Sequence, residues 1–288
     1  KNIKNRMKRN LYEQFTLPFI VRKIDKDAIL HYPDAMAPIF AMNKVVITIH
    51  DLAYKSLKGV FTWKTTLWKK FITPISILKA EKVVAITEFA EREIHKHYPK
   101  LSKNKVEVVY NGFNKFVDDD VKYDYSDEFI NKILKSKYIL TVSTISPRKN
   151  MDGLIEAFNI IKEKTDCNLV ICGKNGWLYE EVYKKVDEFN LKDRVIFTGG
   201  VTDEQLIALY KECEIFAYPS FYEGFGLPPV EAMSFNKKCV VSNVTSIPEV
   251  VGNAGFYFDP KDKNEMAEKL LLAINSPANL DEINKTLN

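Results

Sequence analysis

Two glutamates, Glu223 and Glu231, stand eight residues apart and are the side chains best suited to chemistry in this sequence. The segment between them holds the run Gly224, Phe225, Gly226 and Leu227, followed by two prolines. Carboxylates accept hydrogen bonds from hydroxyl groups. Glycines let a backbone turn sharply and approach a ligand closely, so that its N–H groups can bind an anion or a sugar hydroxyl.

The residues around this segment predict where the two glutamates lie. The apolar run 214–218 is typical of a buried strand of a parallel sheet. Pro229 suits the first position of a helix, where a missing N–H costs nothing. We therefore expect Glu223 in the loop after a strand and Glu231 in the first helical turn. Open α/β sheets bind their ligands at this carboxyl edge.

Two basic residues, Arg148 and Lys149, follow another predicted strand, 138–143, and should reach the same edge. Arginine offers a planar fork to a phosphate, and lysine offers a point charge. His50 and Asp51 end a predicted strand in the first half of the chain, 44–50. A histidine in this position is compatible with a purely structural role, and the sequence leaves the role of Asp51 open.

The string from Glu223 to Glu231, E-G-F-G-L-P-P-V-E, resembles the signature of glycosyltransferase family 4. The loop Ser143-Thr-Ile-Ser-Pro-Arg-Lys-Asn resembles the phosphate-contacting loop of that family. It departs from the commoner pattern, because Thr144 stands where the family places an arginine. The Pro-Arg-Lys-Asn form is similar to that of bacterial polysaccharide mannosyltransferases. The resemblance implies an α/β fold with two Rossmann-like parallel-sheet domains, the GT-B architecture.

The resemblance also implies roles for single residues. The counterpart of Glu231 accepts hydrogen bonds from the ribose, and that of Glu223 contacts the donor sugar beside the reacting centre. Arg148 and Lys149, with the amides of residues 225–227, would stabilise the departing diphosphate, and His50 would reach the donor sugar. Gly173 and Val201 lie where the family brings its backbone against the donor nucleotide.

The alternation of predicted strands and helices divides the chain into four parts. We expect a first Rossmann-like domain at 1–112, an acidic linker at 113–137, a nucleotide-sugar-binding domain at 138–275 and a tail at 276–288. Thr87 and Asn150 are expected to cap helices, and Thr202 with Gln205 forms a predicted capping box. The family's first strand has no counterpart in this sequence. We therefore expect an incomplete first domain and a chain that transfers little or no sugar by itself.

Composition excludes several other classes of protein. The formal net charge is only +4, and no basic pattern interleaved with aromatic residues indicates nucleic-acid binding. The 4 cysteines match no zinc motif, and no metal site is expected. No apolar run is long enough for a membrane span. A basic opening, from Lys1 to Arg9, is either a solvated helix face or a region attracted to anionic lipid.

These observations predict a retaining, metal-independent glycosyltransferase. It would move a hexose from a GDP- or UDP-sugar, with no other cofactor, to a growing lipid-linked bacterial glycan such as a polysaccharide or lipopolysaccharide. We expect it in the cytoplasm, with possible peripheral contact to the inner face of the plasma membrane, and the oligomeric state stays open. Two alternatives remain: a sugar-nucleotide epimerase on the same fold, and a non-catalytic nucleotide-binding subunit.

Overall fold

A computed structural model describes residues 6–57, 63–113 and 127–287. The chain divides into two compact units, Lys1–Asn111 and Gly112–Asn288, and each is built on its own parallel sheet. The predicted α/β class and the two parallel sheets are therefore confirmed. The basic residues at positions 1 and 4, and most of the acidic residues of the predicted linker, lie outside the described residues.

The first unit holds a sheet whose four strands follow chain order. These strands are β1 (Leu30–Tyr32), β2 (Val45–Ile49), β3 (Lys82–Ala85) and β4 (Val106–Val108). Its helices are α1 (Arg6–Leu11), α2 (Leu17–Ile24), α3 (Ala53–Ser56), α4 (Trp63–Lys79) and α5 (Glu88–His97), with one π-helical turn (Tyr12–Thr16) between α1 and α2 and a 3-10 turn (Lys103–Lys105) before β4. The predicted cap is confirmed at Thr87, whose side chain accepts a hydrogen bond from the N–H of Ala90.

The second unit holds six parallel strands: β5 (Tyr138–Val142), β6 (Asn168–Cys172), β7 (Val195–Gly199), β8 (Ile215–Tyr218), β9 (Lys238–Ser242) and β10 (Gly255–Phe258). Its helices are α6 (Glu128–Leu134), α7 (Met151–Ile161), α8 (Glu180–Glu188), α9 (Asp203–Glu212), α10 (Leu227–Ser234), α11 (Ile247–Val251), α12 (Lys263–Asn275) and α13 (Leu280–Leu287). Two 3-10 turns complete it, Pro147–Lys149 and Gly252–Ala254. The capping box of Thr202 and Gln205 is present at the start of α9, as predicted.

The order of the second sheet, β10-β9-β8-β5-β6-β7, reverses direction between β5 and β8. The chain leaves β5 toward β6 on one side, whereas β8 continues toward β9 on the other. Loops that leave neighbouring parallel strands in opposite directions open a crevice at the carboxyl ends, and this is where such sheets bind ligands. The loops after β5 and β8 are those that carry Arg148, Lys149 and Glu223.

Helix α10 begins two residues earlier than the sequence predicts. Gly226 precedes its first residue in a left-handed conformation (φ 103°), and Leu227 is the first helical residue. The prolines occupy the second and third positions, which also lack an intrahelical N–H partner and therefore tolerate proline. Consequently Glu231 lies in the second turn, and its predicted place in the first turn is wrong.

Asn150 does not cap α7 through its side chain, as the sequence had suggested. The residue adopts a left-handed conformation (φ 56°), which asparagine tolerates better than most residues. Its amide nitrogen instead donates to the carbonyl oxygens of Pro219 and Pro260, at 3.1 and 2.8 Å. The buried side chain thus joins the loop after β5 to the loops after β8 and β10.

Helices also occupy two stretches that the sequence assigns to a linker and a tail. Asp127 caps α6 by accepting hydrogen bonds from the N–H groups of Phe129 and Ile130. Ile283 of α13 is buried, and this helix packs against α10. The proposed domain boundaries themselves stay predictions. Within the described part of the chain, no helix is long and apolar enough to cross a membrane.

Candidate active site

The carboxylate of Glu223 lies between the two predicted cations. Its Oε1 is 2.6 Å from Nζ of Lys149, and its Oε2 is 2.9 Å from a terminal guanidinium nitrogen of Arg148. The same guanidinium nitrogen donates to the carbonyl oxygen of Tyr222. The structure therefore brings together three residues that the sequence proposed separately, at the crevice between β5 and β8.

Burial and charge oppose each other at Glu223, which is only 7% exposed. Burial alone would raise the pKa of this carboxyl group, because a low-dielectric environment disfavours the charged form. The positive charges of Lys149 and Arg148 outweigh that effect, so the pKa of Glu223 is lowered. The carboxylate is consequently ionised, and it neutralises one of its two cationic neighbours.

Contacts with β8, and with the loop that follows β8, hold the two cations of the loop after β5 in place. Both cations belong to the 3-10 turn Pro147–Lys149. The carbonyl oxygen of Arg148 accepts a hydrogen bond from the N–H of Phe221 at 2.9 Å. Nζ of Lys149 also donates to the hydroxyl of Tyr218, at the end of β8, at 2.9 Å. These bonds fix both side chains relative to the Glu223 loop.

Thr245 and Ser246, in the loop after β9, hold the backbone of Glu223. The hydroxyl of Thr245 accepts from the N–H of Glu223 at 3.1 Å. The buried hydroxyl of Ser246 lies 3.0 Å from the carbonyl oxygens of both Glu223 and Phe225. Sequence reasoning missed both hydroxyl residues. The apolar run Cys239-Val-Val ahead of them was the available signal, since a strand there puts them at the same carboxyl edge.

The residues after Glu223 form a closely packed turn that leads into α10. Phe225 and Gly226 are buried, whereas the side chain of Leu227 is 37% exposed. A Cβ added at Gly226 would lie 2.6 Å from the side chain of Ile247, and its positive φ also favours glycine. The prolines of the first turn have no N–H, so the backbone donors at this helix start come from the residues before them, 225–227. This is the set that the sequence proposed for an anion or a sugar hydroxyl.

Glu231 belongs to a different polar pair. Its Oε2 accepts a hydrogen bond from the hydroxyl of Tyr210, on α9, at 2.8 Å. Burial raises the pKa of Glu231, and the hydrogen bond from Tyr210 offsets only part of this rise. The pKa of Tyr210 is also raised, by burial and then by the charge of Glu231. The two glutamates of the signature therefore make different contacts.

Gly173 and Val201 mark the ends of β6 and β7 on the same carboxyl edge. Gly173 has a φ of 147°, and a Cβ there would lie 1.9 Å from the carbonyl oxygen of Ser143. Its N–H donates to the carbonyl oxygen of Gly199 at 2.9 Å. Val201 directly precedes the capping residue of α9. Only glycine allows the loops after β5 and β6 to approach this closely.

His50 and Asp51 lie in the first unit, at the carboxyl end of β2. The exposed ring of His50 has Nε2 at 2.9 Å from the carbonyl oxygen of Pro33. Oδ1 of Asp51 accepts from the N–H of Ala53, at the start of α3, at 3.0 Å. Within the first unit both residues therefore make local contacts, and their predicted catalytic roles stay predictions.

Comparison with known proteins identifies relatives for both units. A family model described as "Glycosyl transferases group 1" matches residues 125–286, and one described as "Glycosyltransferase Family 4" matches residues 2–115. The O-antigen chain mannosyltransferase B of Escherichia coli is 29% identical over 86% of this chain. The chain spans 66% of the length of that relative.

Two solved structures are similar in fold. WaaG, described as a glycosyltransferase involved in lipopolysaccharide biosynthesis, aligns with a TM-score of 0.73 and 15% identity over 99% of this chain and 79% of its own. Anabaena Alr3699/HepE, solved in complex with UDP and glucose, aligns with a TM-score of 0.71 and 20% identity over 100% of this chain and 77% of its own. At these identities the similarity shows the fold alone.

Proposed function

The chain belongs to the glycosyl transferases group 1 family, and from this premise we propose that it binds a nucleotide diphosphate sugar and transfers its hexose to a growing glycan. The observation that supports this most strongly is the buried contact of Glu223 with Lys149 and Arg148 at the crevice between β5 and β8. Two cations and one carboxylate leave a net positive charge where the diphosphate of a donor would lie.

We assign Arg148 and Lys149 to the diphosphate. Breaking the bond between the sugar and the diphosphate leaves negative charge on the leaving group, and prepositioned cations and N–H donors stabilise that charge. The N–H groups of residues 225–227 are the nearby backbone donors for the same purpose. Both cations contact Glu223, so the three side chains converge on one site.

We assign Glu223 to the sugar and Glu231 to the nucleoside. An ionised carboxylate can accept hydrogen bonds from sugar hydroxyls and hold the ring in a reactive orientation. The hydroxyl of Tyr210 donates a hydrogen bond to Oε2 of Glu231. We therefore assign the other oxygen, Oε1, to the ribose. Gly173 and Val201 contribute backbone next to the nucleotide in this proposal.

For the finer features of the reaction, the proposal rests on the family and on the relatives named above. We propose retention of anomeric configuration through a transition state with oxocarbenium character, without a metal ion. His50 would contact the donor sugar, and Asp51 would orient it or act on the acceptor. The name of the Escherichia coli relative supports a mannosyl donor and an O-antigen type of glycan. We further propose a lipid-linked acceptor at the cytoplasmic side of the membrane.

Incubation of the complete gene product with GDP-mannose and a lipid-linked mannose acceptor tests this function. The proposal predicts release of GDP and a new α-mannosidic linkage, since nucleotide-linked mannose has the α configuration. A β linkage would contradict retention. A new epimer formed from the nucleotide sugar alone would indicate an epimerase instead. Nucleotide binding without any turnover by the complete gene product would favour a non-catalytic binding subunit.

A further inference from the structure

Tyr210 is a fully buried tyrosine whose hydroxyl group reaches the proposed nucleoside site. It lies near the end of α9. Its hydroxyl donates to Oε2 of Glu231, on α10, at 2.8 Å. Burial, and then the charge of Glu231, raise the pKa of Tyr210, so the phenol stays protonated and acts as the donor. The hydrogen bond therefore has a fixed direction, from the tyrosine to the carboxylate.

Aromatic contacts fix the position of the Tyr210 ring. The ring of Phe235, directly after α10, is stacked on it with a centroid distance of 5.9 Å and an interplanar angle of 15°. The ring of Phe216, on β8, is tilted by 47° at a centroid distance of 5.6 Å. Aromatic pairs at such distances add stability beyond the area that they bury. The hydroxyl is therefore carried by a well-packed ring that contacts both β8 and the end of α10.

The partners of Glu231 differ from those of Glu223. Two cations contact Glu223. Among the residues that the structure describes, Glu231 forms no salt bridge, and Tyr210 is the one side chain that donates to its carboxylate. An ionised carboxylate offers about four acceptor positions. Glu231 can therefore accept further donors, such as the two hydroxyls of a ribose, without displacing Tyr210.

The hydrogen bond from Tyr210 also limits how the carboxylate of Glu231 can turn. The terminal torsion of a glutamate side chain is broad, so that neighbouring groups decide where its two oxygens lie. The tyrosine hydroxyl selects the orientation that directs Oε2 to α9. The other oxygen, Oε1, then has a defined position from which it can accept hydrogen bonds.

We propose that Tyr210 is a positioning residue, which orients the carboxylate of Glu231 toward the ribose and thereby makes the site prefer nucleotides that carry both ribose hydroxyls. This inference rests on the proposed function, in which Glu231 binds the nucleoside. Tyr210 does not contact the nucleotide in this arrangement and acts through Glu231. A site built to hydrogen-bond a hydroxyl discriminates against the analogue that lacks it, because its polar groups are then left unpaired.

Calorimetry with UDP and GDP, beside 2′,3′-dideoxy-UDP and 2′,3′-dideoxy-GDP, tests this proposal on the whole chain. Tyr210→Phe keeps the ring and removes the hydroxyl. It should weaken binding of UDP or GDP about 3- to 10-fold, as for the loss of one hydrogen bond. Binding of the dideoxy nucleotides should not change, because they present no ribose hydroxyl to Glu231. In a chain that already carries Glu231→Gln, adding Tyr210→Phe should cost little more, since the two residues act as one unit.

Tyr138→Phe is the matched control. Tyr138, on β5, is also fully buried, and its hydroxyl donates to the carbonyl oxygen of Leu209, the residue before Tyr210, at 2.9 Å. This variant should lose stability as Tyr210→Phe does but bind UDP and GDP normally. Equal loss of nucleotide affinity in the two tyrosine variants would overturn the proposal. So would an equal loss for the ribonucleotides and the dideoxy nucleotides in Tyr210→Phe, because the effect would then be one of packing.

Glu231→Gln separates failure of this inference from failure of the proposed function. If Glu231→Gln weakens binding of UDP or GDP and Tyr210→Phe does not, Tyr210 has no positioning role, whereas the assignment of Glu231 to the ribose stands. If Glu231→Gln leaves nucleotide binding unchanged, that assignment fails, and this inference fails with it.

Discussion

Nζ of Lys149 lies 2.6 Å from Oε1 of Glu223, although 74 residues separate them in the chain. The contact joins the loop after β5 to the loop after β8, and so spans the point where the strand order reverses. Removing a charged partner from such a buried pair is costly, because the remaining charge loses its compensation. The same contact therefore bears on stability and on the proposed donor site.

Lys149→Met should destabilise the second unit by about 3 kcal/mol, toward the lower end of the range for breaking a buried ion pair, because Arg148 still contacts Glu223. Arg148→Met should cost less, about 1–2 kcal/mol, since its side chain is 22% exposed against 11% for Lys149. Urea unfolding measures both. Lys184→Met, which removes an exposed pair with Glu181, is the control and should leave stability nearly unchanged. Equal effects in the lysine variants would show that the buried contact does not stabilise the unit.

The lowered pKa of Glu223 predicts a dependence of stability on pH. A carboxyl group whose pKa is lower in the folded state stabilises the fold above its unfolded pKa, about 4.3, and loses this contribution as the pH falls through the folded pKa. Glu223→Gln has no such group. The difference in unfolding free energy between the unsubstituted chain and Glu223→Gln should therefore shrink on acidification from pH 7 to pH 3. A difference that stays constant over this range would contradict the charge balance described here.

Substitutions of the two glutamates should affect different properties, nucleotide affinity for Glu231 and turnover for Glu223. Glu231→Gln should weaken binding of free UDP or GDP about 5- to 150-fold, which corresponds to about 1–3 kcal/mol, because the ribose loses a charged acceptor. Glu223→Gln should leave this affinity within about threefold, since free UDP and GDP carry no sugar for Glu223 to contact. Its penalty should appear in turnover of the complete gene product with the nucleotide sugar, because an interaction made with the sugar acts on the chemical step. Calorimetry of nucleotide binding, measured beside transfer rates, distinguishes the two roles. If Glu223→Gln weakened nucleotide binding and Glu231→Gln did not, the roles assigned to the two glutamates would be exchanged.

Sequence patterns predict most of this fold because the strands are local apolar runs, and such runs are visible without tertiary information. The capping box at Thr202 is equally local and is confirmed. The role of Asn150 was missed because its partners, Pro219 and Pro260, are 69 and 110 residues away. The start of α10 was misplaced because several early helical positions tolerate proline, so that a proline pair does not identify the first residue.

For the site, the sequence proposed these cations and carboxylates as candidates but did not indicate which of them contact one another. Nothing local indicates that Arg148 and Lys149 both contact Glu223, or that Glu231 contacts Tyr210 instead. Those pairings depend on the order of the strands, which places β8 beside β5. Thr245 and Ser246 were missed for the same reason, since they reach Glu223 only through the neighbouring strand β9.

The most direct test of the account is a calorimetric titration of the unsubstituted chain and of Arg148→Gln with UDP and GDP, beside uridine and guanosine. Arg148 is the more exposed of the two cations, so this variant should remain folded. We predict that a nucleotide diphosphate binds much more tightly than its nucleoside, and that Arg148→Gln loses about 10- to 100-fold of the diphosphate affinity, as for a hydrogen bond to a charged group. Nucleoside affinity should not change. Equal affinity for nucleoside and diphosphate, or unchanged diphosphate affinity in Arg148→Gln, would contradict the assignment of this site to the donor diphosphate.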